Sequence, residues 1–127
     1  MAVAALDIAW LAGILEGEAC FCIGSRKVGE KTYKRITIQL VMTDKDIVQR
    51  VAGLFGTRCC DMPWRDGSVK PTYRVACTGD RAAGWMMTVY RFMGERRQQK
   101  IKDCLLAWRR SPGRTNLQRA TARLEVA

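Results

Sequence analysis

The stretch Ile8–Phe21, "IAWLAGILEGEACF", constrains the fold of this chain more than any other. It is apolar almost throughout, yet it holds Gly13 and Gly17, each of which costs a helix about 1 kcal/mol relative to alanine. Residues 5–18 are expected to be helical, with Asp7 at the positive end of the helix dipole. Leu6, Ile8, Trp10, Leu11, Ile14 and Leu15 surround this helix with apolar side chains, so it is expected to be buried on more than one side. Ala5, Ala9, Gly13 and Gly17 recur every four positions and form a ridge of small residues along one side. Such a ridge admits another helix backbone to backbone. That helix is either another one of the same chain or the same helix of a second copy, and two-fold symmetry would then bring the two helix tips together.

The helix ends in Glu16-Gly17-Glu18. Two carboxylates at the negative end of a helix dipole are poorly placed unless a cation accompanies them. Across a two-fold axis, two Glu18 side chains would repel one another without a cation between them. Carboxylate oxygens suit Mg²⁺, and metal held there can polarise a phosphodiester and activate water. The chain has no histidine, the usual general base. The alternative is a pair of ordinary surface charges at a helix end.

Charge separates this tip from the rest. Residues 1–18 hold three acids and no Lys or Arg, so the remaining chain carries more than the whole net charge of +10. A basic body fits a polyanion such as nucleic acid, or simply a solvated basic surface. At 127 residues and 48% hydrophobic composition, the chain suits one folded domain. No apolar run reaches the roughly 18 residues of a membrane span, and no basic region opens a signal peptide. The six cysteines show no C-x-x-C spacing. They are expected to be reduced thiols, most of them packed as small hydrophobes, in an intracellular protein.

Periodicity supplies the remaining elements. Residues 19–26 read as a strand, and residues 33–41 as another, with Ile36, Ile38 and Leu40 opposite Arg35, Thr37 and Gln39; "RKVGEK" links them. Residues 43–56 form a helix capped by Thr43 or Asp44 and closed by Gly56. "TRCCDMPW" and "KPTYRVACT" read as strands joined by "RDGS". Helices follow over about 80–93 and 95–110. The order predicts an α+β fold, αββαββα, with an antiparallel sheet. Residues 1–110 make the domain and residues 111–127 a basic tail, either a short helix or disordered.

"LAGILEGEA", Leu11–Ala19, resembles the signature of the LAGLIDADG homing endonucleases, and the following strand and the helix–hairpin order agree with it. The resemblance implies a β saddle straddling double-stranded DNA, motif helices packed at the centre of a homodimer, and metal-dependent cleavage of both strands at a long, roughly palindromic site. It implies Mg²⁺ or another divalent cation held by Glu18 and the Gly17 carbonyl, a structural role for Glu16, and an interface including Ala9, Leu11, Ala12, Gly13, Glu16 and Gly17. Gln39, near the end of the second strand, and Arg97, before the last helix, stand where the family carries polar and basic residues at its active centre. The motif departs at its last position, Ala19, where the family has glycine, and both acids are Glu. A cleavage-inactive DNA-binding regulator or an RNA maturase on the same fold is the alternative; a basic structural protein would explain the charge but not the ridge.

Strand alternation assigns DNA-facing residues. Arg26 shares the side of Glu18, and Arg35, Thr37 and Gln39 share the polar side of the second strand. Thr72 and Arg74 do so in the fourth, and Arg58 and Arg65 flank the third. Arginine suits guanine and glutamine adenine. Lys27, Lys34 and Lys70, assigned to turns, suit phosphates.

Overall fold

The computed structural model describes residues 3–62 and 70–110. The order is α1 (Ala5–Glu18), β1 (Cys20–Val28), β2 (Lys31–Met42), α2 (Lys45–Phe55), β3 (Cys60–Asp61), β4 (Tyr73–Thr78), α3 (Gly79–Val89), a 3₁₀ turn (Tyr90–Phe92) and α4 (Glu95–Arg110). The strands form one antiparallel sheet in the order β1-β2-β4-β3. This is the expected α+β arrangement. Arg65, Trp64, the "RDGS" turn and the tail lie outside the described residues.

The helices cover one face of the sheet because alternation puts the apolar residues there. Phe21 of β1, Ile36, Ile38 and Leu40 of β2, and Val75 and Cys77 of β4 are buried. They meet Leu11 and Leu15 of α1, Val48, Val51 and Phe55 of α2, Met86 and Val89 of α3, and Ile101 and Cys104 of α4 in one core. Full burial of a Leu or Ile side chain contributes roughly 1.5–3 kcal/mol, so this face fixes the register of β1, β2 and β4.

Local details differ from the sequence expectation where a turn or a tertiary contact intervenes. The β1–β2 hairpin is longer and its loop shorter than "RKVGEK" implies, since Val28 pairs with Lys31. Gly29 takes a φ of 64° at the first loop position, which glycine does without steric cost. Lys27 and Lys34 therefore lie within strands, not in turns. They alternate with the core side, opposite Arg26 and Arg35, and Lys34 Nζ donates to Ser25 Oγ at 3.4 Å. The helix expected over 80–93 stops at Val89 and tightens into the 3₁₀ turn. The Gln98 side chain donates to the Tyr90 carbonyl at 3.0 Å, holding that turn against α4. Gly56 ends α2 with a φ of 72°, as its position after Phe55 predicts.

Helix α1 is less enclosed than its composition predicts. Only Leu11, Ala12 and Leu15 are buried. Leu11 and Ala12 belong to the chain's own core, which corrects their assignment to an interface. Leu6 is 85% exposed. Ala5, Ala9, Gly13 and Gly17 are all exposed, and a Cβ added at Gly13 or Gly17 would meet nothing within 4 Å. Among the described residues the ridge is therefore not used against another helix.

Candidate functional site

Glu18 closes α1 and is exposed. The last backbone bond of the helix runs from Ala19 N–H to the Leu15 carbonyl at 3.1 Å. The Gly17 carbonyl lies beyond it, among the carbonyls that a helix leaves without an intrahelical partner. No basic residue stands in the last turn. The tip thus combines a carboxylate, an unspent helix carbonyl and the negative end of the dipole, a donor set that fits a hard divalent cation. Among the described residues, no three Cys, Asp or Glu side chains cluster as metal ligands, so one chain offers Glu18 and the Gly17 carbonyl alone.

Glu16 points elsewhere. Its Oε1 accepts from the Gly94 N–H at 3.4 Å. Gly94 precedes α4, and its carbonyl takes the first helical bond, from Gln98 N–H at 2.9 Å. The Glu16 carboxylate therefore sits at the positive end of α4, where negative charge is stabilising. Its Oε2 is buried without a hydrogen-bond partner.

Arg97, in the first turn of α4, binds the other side of the same junction. Its Nη1 donates to the Ala19 carbonyl, and its guanidinium lies 5.6 Å from the Phe21 ring centroid. Its Nε is buried without a partner. Arg97 is thus held at the residue after Glu18. Gln39 faces the same end of the sheet from β2, paired across the ladder with Cys20. Its Oε1 accepts from Arg74 Nη2 at 3.2 Å. The fold brings Glu18, Gln39 and Arg97 to one end of β1.

The open face of the sheet continues outward. Arg35 Nη2 donates to Thr78 Oγ1 at 3.1 Å, and Thr37 is flanked by Cys22 and Thr78 in the ladder. Arg26 is exposed on the same side of the hairpin. Thr72 is half-buried just before β4, its carbonyl accepting from Met62 N–H at 3.0 Å. Arg58 and Lys70 are exposed at the sheet margin, away from this hydrogen-bonded set.

Sequence reasoning missed three features. Cys20 and Cys22 bring their sulfurs to 3.0 Å; a C-x-C spacing on a strand was the available signal. Burial pushes the Cys22 thiol up to about 11, with the Cys20 sulfur adding to the effect. Cys77 and Cys104 are buried, Cys22 and Cys59 half-buried, and Cys20 and Cys60 exposed; all six are free. A hollow of about 610 Å³ lies between the start of β1 and α4, lined by Cys20, Arg96, Arg97, Gln99, Lys100 and Asp103 among others. Finally, Trp108 Nε1 donates to Asp80 Oδ1 at 2.9 Å and Arg50 lies 3.8 Å from the Trp10 ring centroid, tertiary contacts that no local pattern signals.

No protein-family model and no curated protein matches the sequence. Solved structures do match. The homing endonuclease I-CvuI, in complex with a DNA target in the presence of Mg, superposes with a TM-score of 0.61 at 16% identity, over 80% of this chain and 66% of that one. The group I intron-encoded I-CeuI, complexed with DNA, gives 0.62 at 16% identity, over 84% of this chain and 55% of that one. The archaeal intron-encoded I-Vdi141I, also complexed with DNA, gives 0.61 at 12% identity, over 80% and 67%. This chain spans just under two thirds of I-CvuI and about half of I-CeuI. With four helices on a four-stranded antiparallel sheet, and its motif helix ending at Glu18, the chain has the LAGLIDADG homing-endonuclease fold.

Proposed function

We propose that this chain is a sequence-specific, divalent-metal-dependent endonuclease of double-stranded DNA that works as an intracellular homodimer. The observation that carries this reading is α1, whose ridge of small residues is open along its length and ends at Glu18 with no cation in the last turn. A second copy packed on Ala5, Ala9, Gly13 and Gly17 covers that ridge and sets a second Glu18 and Gly17 carbonyl beside the first. I-CvuI, I-CeuI and I-Vdi141I were solved with DNA, I-CvuI in the presence of Mg in one structure and of Ca in another.

In this reading Glu18 and the Gly17 carbonyl hold the cation. A divalent cation there supplies Lewis-acid activation of water and neutralises charge at the scissile phosphodiester. Arg97 fixes the Ala19 carbonyl, and so the orientation of the tip. Glu16 anchors α4 against α1. Gln39 and Arg74, hydrogen-bonded on the open sheet face, are placed to read base edges beside the cut, and Arg26 and Arg35 to read them farther out.

The test presents a pool of random duplexes with Mg²⁺ to the wild type and to Glu18→Gln, and sequences both cut ends and bound fragments. Cutting at one motif by the wild type alone supports the proposal. Specific binding with no cutting by either protein replaces the nuclease with a DNA-binding regulator. Failure to bind or cut any duplex overturns the DNA reading.

A further inference from the structure

The thiols of Cys20 and Cys22 have no part in the chemistry above, yet they stand two and four residues after Glu18. We infer that they form a modification site for small anionic disulfides of the glutathione class, closing reversibly into a disulfide that disarms the Glu18 tip. The sulfurs are already 3.0 Å apart at the start of β1, with Cys20 exposed. Cys20 is exposed and borders the hollow that also holds Arg96, Arg97 and Lys100, with Asp103 the one acid of its lining. That excess of cations favours an anionic disulfide over a neutral one.

The chemistry needs no other reactant. The Cys20 sulfur attacks one sulfur of glutathione disulfide, its S–S bond breaks, and one glutathione leaves as the thiol. The Cys22 sulfur then attacks the mixed disulfide and the second glutathione leaves. The protein loses two protons and two electrons, which the glutathione disulfide takes up as two thiols.

Strand geometry makes the bridge consequential. Residues i and i+2 of an extended strand are about 6.6 Å apart, near the upper limit for a disulfide, whose Cα atoms usually stand about 5.5–6 Å apart. Closing the ring therefore shortens β1 between Cys20 and Cys22. Cys20 is paired with Gln39 and follows Ala19, whose carbonyl Arg97 grips. The contraction pulls on the backbone between Glu18 and the Cys20–Gln39 pair, the segment whose Ala19 carbonyl Arg97 holds. Because the bridge opposes strand extension and lies at the surface, it is readily reduced again, as labile regulatory disulfides are.

The contrast within the chain is Cys59-Cys60, adjacent residues of which one is half-buried and the other exposed. Cys60 opens β3 and Cys59 lies just before it, and the two sulfurs show no contact like that of Cys20 and Cys22, so this pair is not expected to close.

The effect on cutting rests on the proposed nuclease; the bridge itself does not. The full chain, free of DNA, is equilibrated in glutathione buffers of increasing oxidised fraction, its free thiols are alkylated, and the bridge is located by peptide mass spectrometry. A Cys20–Cys22 disulfide is expected, absent in Cys20→Ser and Cys22→Ser, retained in Cys59→Ser/Cys60→Ser, and reversed by dithiothreitol. A bridge elsewhere, or only stable glutathione adducts, overturns the site. Bridge formation is expected to lower Mg²⁺-dependent cutting roughly 100-fold, as a displacement of about 1 Å near the chemistry does, and Cys20→Ser is expected to be insensitive to oxidant. A mapped bridge with undiminished cutting overturns the coupling to Glu18. If the reduced chain cuts no DNA, the mapping still decides the site while the nuclease reading fails separately.

Discussion

Arg97 donates from α4 to the carbonyl of Ala19, the residue that follows Glu18 at the end of α1. Glu16, on the other side of the tip, accepts from Gly94 at the start of α4. In both contacts the start of α4 donates and the end of α1 accepts, so the first turn of α4 and the last turn of α1 are held as one unit. The tip is a helix end, where fraying is ordinarily greatest, and these bonds oppose it.

Replacing Arg97 tests that hold. Arg97→Ala removes a charge-assisted bond and the cation over Phe21. We expect cleavage by the dimer to fall roughly 100-fold through misplacement of the tip. Arg97→Lys keeps the charge without the fork and should recover only part of it. Single-turnover rates at saturating Mg²⁺ measure this, and equal activity of Arg97→Ala and wild type would exclude the positioning role.

The Glu16–Gly94 contact gives a double-mutant cycle. A Cβ on Gly94 would lie 2.9 Å from Glu16 Oε1. Gly94→Ala should therefore destabilise the fold by about 1 kcal/mol, within the usual range of single substitutions. In a Glu16→Ala background the same change should cost less, because the clash has gone. Additive losses in urea denaturation would mean that the two residues do not couple.

Gly13→Leu separates folding from assembly. Nothing lies within 4 Å of a Cβ at Gly13 in one chain, and leucine is the better helix former by about 0.8 kcal/mol. The monomer should keep its fold and far-ultraviolet spectrum. The dimer should dissociate because the ridge no longer allows close approach. Light scattering that reports one unchanged dimer mass would remove the interface on this side of α1.

Arg74 and Gln39 share one hydrogen bond on the open sheet face. Arg74→Ala is expected to weaken binding to the preferred target by about 1–3 kcal/mol and to relax sequence preference near the cut, as loss of a base contact does. A loss of equal size on every duplex, with a shallower salt dependence, would instead mark Arg74 as a phosphate contact.

The sequence by itself determined the elements and the tip. Alternation at Ile36, Ile38 and Leu40 fixed which face of β2 is buried, because a one-residue slip would expose all three. The fourfold spacing of Ala5, Ala9, Gly13 and Gly17 fixed a ridge, because that spacing returns to one side of any α-helix. Glu18 was legible as a carboxylate at the negative end of a helix, where a cation partner is favoured, for the same local reasons, and the Gly17 carbonyl as its companion only through the resemblance of the motif. Only the tertiary structure decided what these surfaces face. It turned Leu11 and Ala12 into the chain's own core and left the ridge open, which composition could not distinguish in a helix apolar on every side. It also brought Glu16 to Gly94, Arg97 to Ala19 and Gln39 to Arg74, contacts across 35 to 78 residues of chain. No local periodicity encodes such pairings, because they depend on how α4 and β4 pack against the first hairpin.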